Sequence, residues 1–359
     1  MLVNSTNSAL MLRFISTSVF LFILVFNLHA QYEPSFEDTV AVYEDLFELD
    51  EPLTLTMEFN IKEFRKARRK DEYHKANMTC HVSESFEVTH PVRVKARGEF
   101  RRDECIMPPY WINIRYAGIE ADSLRDVRKM KMVTRCKPAG IYRNLVLKEY
   151  LVYKIYNLLT PISFNVRLVR LKYIDTGREK KNVSESWGFF IEPEQMMARR
   201  LGAKMIKSDK LSLRTVNPEM MDLVALFSYM VGQGDYSVTG RHNLKILALA
   251  NPPPQGFITV PYDFDYCGFV DAPYAIPGET LGILSVKERY YLGACRNKSI
   301  HLETLERLAE YQDEIVDLIM GFEYLDEDVR NDMVAYIASY FVESEGDRFV
   351  EAYLDATCR

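Results

Sequence analysis

Short runs of alternating apolar and polar residues dominate the first half of the chain. Four of them occupy residues 53–61, 90–100, 110–116 and 129–135. Alternation with a period of two, rich in β-branched and aromatic residues, predicts half-buried strands. Two further strands are predicted over 164–175 and 186–193, with a polar turn between them. The basic run at 62–75 has no apolar stripe and predicts an exposed helix or loop.

The apolar spacing becomes helical in one segment of this half and again after Pro193. A wide apolar face predicts a helix from Arg143 to Leu159, which Pro161 ends. Later helices are predicted over 194–201, 218–231 and 302–354, with two short strands at 243–250 and 257–266. The sequence therefore predicts an α+β, two-lobed fold, with a β-rich N-terminal lobe (53–192) and a helical C-terminal lobe (193–359).

The first thirty residues have the pattern of a signal peptide. Arg13 is their only charged residue, and the apolar run Phe14–Leu28 is followed by His29 and the small residue Ala30. Fifteen residues of helix cover roughly 22 Å, less than a ~30 Å bilayer core, which favours cleavage over a membrane anchor. We expect an exported protein without a stable membrane span, whose residues 31–52 form an acidic, solvated leader.

Composition narrows the class of protein further. The chain has 359 residues and a formal net charge of −6, which argues against nucleic-acid binding through phosphate attraction. Six cysteines follow the apolar run, an even number that suits disulfides in an oxidising compartment. Several buried thiols are the alternative, and the sequence does not choose a pairing. No cysteine spacing is typical of a zinc site.

One polar, glycine-punctuated loop at 232–243 differs from its surroundings because it follows a strongly apolar helix and leads into a predicted hairpin. The hairpin is expected to bring Asp235, Asn243, Asp263 and Asp265 to one end. Converging carboxylates repel each other unless a cation lies among them. Oxygen ligands of this kind suit Mg²⁺ or Mn²⁺ bound to nucleotide phosphates, so the sequence predicts ATP and a divalent metal as cofactors.

Phosphoryl transfer requires the same residue types. An acid such as Asp235 would orient the acceptor hydroxyl, whereas Asn243 and Asp263 would hold metal. The structural alternatives are that Asp235 is a turn residue or helix cap and that Asn243 merely begins a strand.

A lysine in the β-rich half is needed to contact the phosphates. Lys131 alternates with two methionines on a predicted strand, and Glu149 on the next helix is expected to pair with it. Lys95 and Arg97 on an earlier strand are the alternatives.

Five segments together resemble the CotH family, named for a bacterial spore-coat protein and composed of atypical, secreted kinase-like proteins. They are RGEF (97–100), YRN (142–144), FFIEPE (189–194), GDYSVTGRHN (234–243) and VPYDFDY (260–266). The resemblance covers roughly residues 90 to 275. RGEF lacks the Asn-Ser/Thr of the family motif, and no glycine-rich phosphate loop is present in the sequence.

The resemblance implies a kinase-like fold, Mg²⁺- or Mn²⁺-ATP binding and phosphorylation of exported protein substrates. Carried over by position, Asp235 would be the catalytic acid, and Asn243 and Asp263 would be metal ligands with Asp265 beside them. Glu192 would lie near the nucleotide hinge.

Two other functions are alternatives to an active kinase. One is an inactive kinase-like scaffold or binding protein of the cell envelope, because an exported compartment holds little ATP. The other is a metal-dependent phosphohydrolase, which would need an open site for water.

Overall fold

The computed structural model describes residues 46–81, 86–114, 127–178, 182–208, 210–250, 256–354 and 357–358. All of them belong to one compact unit, 34–359. The predicted signal peptide and most of the acidic leader lie outside the described residues. The leader's last residues are described, and Leu46 and Phe47 are buried against the β-rich region rather than solvated.

Strands dominate the described residues up to Ile191. The first seven are β1 Leu53–Phe59, β2 His74–His81, β3 Glu87–Ala96, β4 Tyr110–Asn113, β5 Lys129–Thr134, β6 Val166–Asp175 and β7 Asn182–Ile191. A second, three-stranded sheet contains β8 Ala203–Met205, β9 Leu244–Leu249 and β10 Ile258–Pro261, in the order β10-β9-β8.

The first seven strands form a closed barrel in the order β1-β2-β3-β4-β5-β7-β6. Most neighbours are antiparallel, but β1 and β6 close the barrel as a parallel pair in which Leu53 lies opposite Val169. Every second residue of β1 is buried, as period-two alternation predicts. The sequence missed β2, whose start was assigned to the exposed basic run, and it did not predict closure.

Helices lie around and after the barrel. The described helices are α1 Ile61–Lys66, α2 Phe100–Glu104, α3 Gly140–Leu159, α4 Glu194–Arg200, α5 Pro218–Val231, α6 Lys298–Glu310, α7 Gln312–Met320, α8 Glu327–Glu343 and α9 Asp347–Phe349. The chain is therefore mixed, with a β-rich region first and a largely helical region afterwards.

Helix α3 connects these two regions through its aromatic residues. Tyr153 packs against Phe189 of β7 at 5.7 Å and against Phe264 at 4.8 Å between ring centroids. Phe264 also contacts Phe227 of α5 at 5.8 Å. Burial of these rings fixes the position of α3 relative to the chain segment that follows β10.

Two disulfides are present among the described residues, Cys105–Cys136 and Cys295–Cys358. Cys80 and Cys267 are buried thiols outside them, so four of the six cysteines follow the predicted framework. None of the helices within the described ranges is both long enough and apolar enough to cross a membrane.

Candidate functional site

The hairpin of β9 and β10 places the two polar segments of the predicted site side by side. Leu244 lies opposite Pro261, and the backbone N–H of Tyr262 donates to the carbonyl of Asn243 at 3.0 Å. Before the hairpin, α5 ends at Gly232, whose φ of +69° is the left-handed conformation that favours glycine at a helix end. The loop at 233–243 thus begins and ends beside residues 262–268.

Three carboxyl groups converge at this point. One oxygen from each of Glu149, Asp263 and Asp265 lies within 4.8 Å of the others, and we call these three residues the carboxylate cluster. Glu149 is 1% exposed and Asp265 is 7% exposed. The sequence predicted Asp263 and Asp265 for this site but assigned Glu149 to a lysine pair.

Arg101 of α2 is the cation of the cluster. Its Nη1 donates to Oε2 of Glu149 at 3.0 Å and lies 3.7 Å from Oδ2 of Asp265. Asp265 Oδ2 also accepts from the hydroxyl of Tyr274 at 3.1 Å. When all groups are ionised, three carboxylates and one guanidinium leave two negative charges. The prediction that Glu149 pairs with Lys131 is therefore wrong, because Glu149 pairs with Arg101 of α2. Lys131 pairs with Glu194 instead.

Burial and the repulsion between neighbouring carboxylates raise the pKa of two residues of this cluster, Glu149 and Asp265. Burial raises the pKa of Glu149 to about 8, against the opposing effect of Arg101 and with the help of Asp265 and Asp263. Burial likewise raises the pKa of Asp265 to about 6, opposed by Arg101 and reinforced by Asp263. Oε1 of Glu149 is buried and has no hydrogen-bond partner among the described residues. An acceptor left in this state costs free energy unless a cation or proton satisfies it.

Asp263 has a backbone conformation that non-glycine residues rarely adopt, with φ of +66°. Its N–H donates to the hydroxyl oxygen of Tyr153 at 2.8 Å, and its carbonyl accepts from Nε2 of Gln233 at 3.0 Å. Strand β10 already ends at Pro261, so the prediction that Asp263 and Asp265 alternate on a strand is wrong. The turn after the strand directs both carboxylates into the cluster instead.

Asp235 and Asn243 form a second group beside the cluster. Nδ2 of Asn243 donates to the carbonyl of Asp235 at 2.6 Å and to Oδ2 at 3.1 Å, and His242 Nε2 lies 3.0 Å from Oδ1. The side chain of Asp235 is 46% exposed. Its negative charge contributes to the raised pKa of Asp265. Both of these bonds use Nδ2 of Asn243, so the side-chain oxygen is the atom that would act as a metal ligand.

Lys131 lies in a different environment from the one predicted. Its Nζ contacts Oε1 of Glu194 at 3.1 Å, and Nζ of Lys245 contacts the same oxygen at 3.0 Å. Both ammonium groups also lie over the ring of Tyr262, at 5.2 and 4.6 Å. Burial lowers the pKa of Lys131 to about 8, with Glu194 opposing, whereas the two lysines keep the pKa of Glu194 below its ordinary value despite its burial. Two cations share one carboxylate, which leaves a positive charge beside the ring of Tyr262, the residue before Asp263.

Glu192 is fully buried and fully paired. Its two oxygens accept from Nε and Nη2 of Arg200 at 3.0 and 2.8 Å, and Oε2 also accepts from the backbone N–H of Asn165 at 3.0 Å. These bonds fix the connection between β7 and α4. Both carboxylate oxygens of Glu192 therefore have protein partners, and its predicted position near the nucleotide stays a prediction.

Sequence reasoning missed Arg101, Glu194 and Lys245. Arg101 follows the RGEF segment in a run of charged residues, and nothing local distinguishes it from Arg102. Glu194 is the residue that ends the FFIEPE segment, and Lys245 alternates with buried residues of β9. Of these three residues, only Lys245 has a position that the sequence could have marked, because it is a lysine on the short strand that follows the polar loop.

The donor set fits a divalent metal ion. Carboxylate oxygens and a carboxamide oxygen are the ligands that Mg²⁺ and Mn²⁺ prefer. When Glu149 gives up its proton, the two negative charges of the cluster match one divalent cation, and Oε1 of Glu149 is without a hydrogen-bond partner that such a cation would replace.

Comparisons with known proteins leave the family open. No family model matches the chain, and no curated protein matches it. The crystal structure of a Helicobacter pylori proinflammatory kinase, CtkA, matches with a TM-score of 0.35 and 12% identity, over 78% of this chain and 90% of that chain. A likeness at this TM-score carries no argument, and the resemblance to the CotH family stays a prediction.

Proposed function

We propose that the protein is an exported, kinase-like phosphotransferase that binds ATP with Mg²⁺ or Mn²⁺ and transfers the γ-phosphoryl group to protein hydroxyls. The carboxylate cluster carries the proposal: Glu149, Asp263 and Asp265 converge within 4.8 Å, and in their ionised forms they exceed the charge of Arg101 by two. A surface of ordinary acidic residues would not bury two of its three carboxylates. The fold supports the proposal only through its general plan, in which a β-rich region is followed by helices.

Each residue of the proposed site has a separate role. Asp263, Asp265 and the oxygen of Asn243 would hold the metal, with Glu149 as a fourth oxygen donor. The bound ion would neutralise charge on the phosphates. Asp235, oriented by His242 and Asn243 and partly exposed, would accept the hydroxyl proton of the substrate at a carboxylate oxygen.

The excess positive charge at Lys131 and Lys245 suits the phosphates of the nucleotide. Both ammonium groups lie against Tyr262, the residue before Asp263. A phosphate oxygen would replace part of the contact with Glu194, because one carboxylate oxygen is shared between two cations. This arrangement retains Lys131 as the phosphate-binding residue but replaces its predicted partner.

The position of Arg101 favours a second function, an inactive kinase-like scaffold of the cell envelope. Its guanidinium already contacts Glu149 and lies close to Asp265. A protein that kept this cation in place of a metal would retain the fold without catalysis.

A thermal-shift titration with Mn²⁺, ATP and Mn²⁺-ATP separates these functions. At a hundredfold excess over Kd, Mn²⁺-ATP should stabilise the wild-type protein by about 2.7 kcal/mol. Asp263→Asn should abolish this shift. Asp271→Asn is the matched control, since Asp271 also has a positive φ, of 55°, but lies outside the cluster.

The outcomes are distinct. A shift that Asp263→Asn removes and Asp271→Asn retains supports the metal-nucleotide site, and ADP formation by the wild type then supports catalysis. A shift without ADP formation supports nucleotide binding and contradicts catalysis. Absence of any shift in the wild type contradicts the nucleotide site and supports the scaffold, in which Arg101 takes the place of a metal.

A further inference from the structure

A cavity of about 870 Å³ lies apart from the carboxylate cluster, and none of the three clustered carboxylates lines it. Its walls come from five segments, 61–69, 106–107, 135–138, 173–178 and 184–186. We call this cavity the basic groove. Its volume lies within the range of known ligand pockets, which run from roughly 300 to 1,000 Å³.

The charge of the groove is opposite to that of the protein. Eight of its lining residues are lysine or arginine and two, Asp175 and Glu185, are acidic. The whole chain has a formal net charge of −6. Cations concentrated in one concave surface of an acidic protein create a local positive potential that attracts anions.

Helix α1 contributes the largest share of this charge. Lys62, Arg65 and Lys66 are exposed at positions i, i+3 and i+4, so they lie on neighbouring parts of one helix face. Phe64 is buried and packs edge-on against Phe59 at 5.3 Å, which turns the cationic side outward. Asn60 caps the helix by accepting from the N–H of Glu63 at 3.0 Å.

These three cations have no ion-pair partner among the described residues. Elsewhere in the groove, Arg69 pairs with Asp103 at 2.9 Å and Arg178 pairs with Asp175 at 3.3 Å. Like charges at these helical spacings destabilise a helix, and Glu63, the one acidic residue of α1, lies three residues before Lys66 and offsets only part of this repulsion. An anion bound in the groove would remove that repulsion.

Arg135 adds an unneutralised cation on another wall. Its Nε donates to the carbonyl of Lys137 at 3.0 Å, and it has no carboxylate partner in the described part of the chain. Burial and the neighbouring Arg143 lower its pKa. The disulfide between Cys105 and Cys136 holds this wall in place.

We propose that the basic groove binds an acidic segment of a partner polypeptide. The eight cations lie on three segments around a volume of about 870 Å³, more than one compact anion fills, so an extended peptide would reach more of them. Ile61, Ile106, Met107 and Pro138 lie between the cations and offer apolar contacts to peptide side chains. The proposal does not rest on the proposed function, because the groove and the carboxylate cluster share no residue.

Fluorescence anisotropy with a labelled peptide of glutamate and leucine residues tests this assignment on the full chain. Replacing both Lys62 and Arg65 by Glu should weaken peptide binding about tenfold or more, because attractive charges become repulsive. The matched control is Lys204→Glu with Lys207→Glu, two exposed lysines outside the groove with the same change in net charge.

Binding that survives in the control and is lost in the groove variant supports the proposal. Equal loss in both variants overturns it, because net charge alone would then explain the affinity. Displacement of the peptide by tripolyphosphate or by single-stranded DNA at lower concentration than by unlabelled peptide overturns the choice of ligand. The Asp263→Asn protein is expected to bind the peptide as the wild type does.

Discussion

Two buried glutamates, Glu192 and Glu149, differ in how well their charge is satisfied. Each lies beside a guanidinium, and each was predicted as a site residue. Glu192 accepts two bonds from Arg200 and one from the N–H of Asn165. Glu149 accepts one bond from Arg101, and its Oε1 has no hydrogen-bond partner among the described residues.

The difference separates a structural charge from a candidate functional one. A buried carboxylate with several good hydrogen bonds recovers its desolvation cost and holds the backbone around it. The carboxylate of Glu149 is surrounded by like charges, and burial raises its pKa to about 8. Its ionised form is therefore unfavourable in the folded protein, and a bound cation would offset that cost. Burial of an acid therefore does not by itself indicate a site, whereas incomplete pairing within a cluster of like charges favours a functional role.

The largest expected effect is on Glu192. Glu192→Ala leaves Arg200 without its carboxylate and should lower the free energy of unfolding by about 3 to 5 kcal/mol. Urea denaturation measures it, with Glu303→Ala, an exposed position on α6, as the control. The folded variant should still bind Mn²⁺-ATP. A loss below about 1 kcal/mol would mean that the pair does not hold the fold.

The next effect depends on pH and concerns Lys131. Its folded-state pKa, about 8, is below the ordinary 10.5 because of burial. Between these values the unfolded chain binds more protons, so stability rises with pH across this window. Lys131→Met should therefore be more stable than the wild type at pH 7 by about 3 kcal/mol, and the difference should shrink toward pH 10.5.

Denaturation of both proteins from pH 7 to 10.5 checks this prediction, since titration of the other groups largely cancels in the difference. A constant difference would show that burial does not destabilise the charged form of Lys131. Lys131→Arg is a useful companion, because its charge persists over the whole range.

The smallest expected effect on stability is that of Glu149→Gln. The amide has the shape of the protonated carboxyl that burial favours, so at pH 5, where the folded protein keeps the proton on Glu149, the free energy of unfolding should change by no more than about 1 kcal/mol. Metal binding should nevertheless be lost, as measured by the Mn²⁺ titration. Destabilisation as large as that of Glu192→Ala would remove the distinction between the two glutamates.

Much of the fold follows from local patterns. The helix predicted over 218–231 has those bounds, and the hairpin predicted around the proline-rich turn is present as β9 and β10. Strand β2 was missed because its alternation begins inside a charged run, where local charge hid the buried residues Ala76, Met78 and Cys80.

The candidate site also has a part that the sequence predicted and a part that it did not. Asp235, Asn243 and Asp263 are brought together by one hairpin, so short-range reasoning was sufficient to group them. The partners of Glu149 and Lys131 are 48 and 63 residues away along the chain. Charged residues look alike in sequence, and long-range packing decides which of them meet.

The sequence by itself determined most of the elements, their order and the polar loop beside the hairpin, because periodicity and turn residues act over a few positions. The tertiary structure alone decided the closure of the barrel through the parallel pair β1 and β6. It also decided that Arg101 rather than Lys131 meets Glu149, and that Glu192 is satisfied while Glu149 is not. Burial sets the energy of each charge, and burial arises only when distant segments pack together.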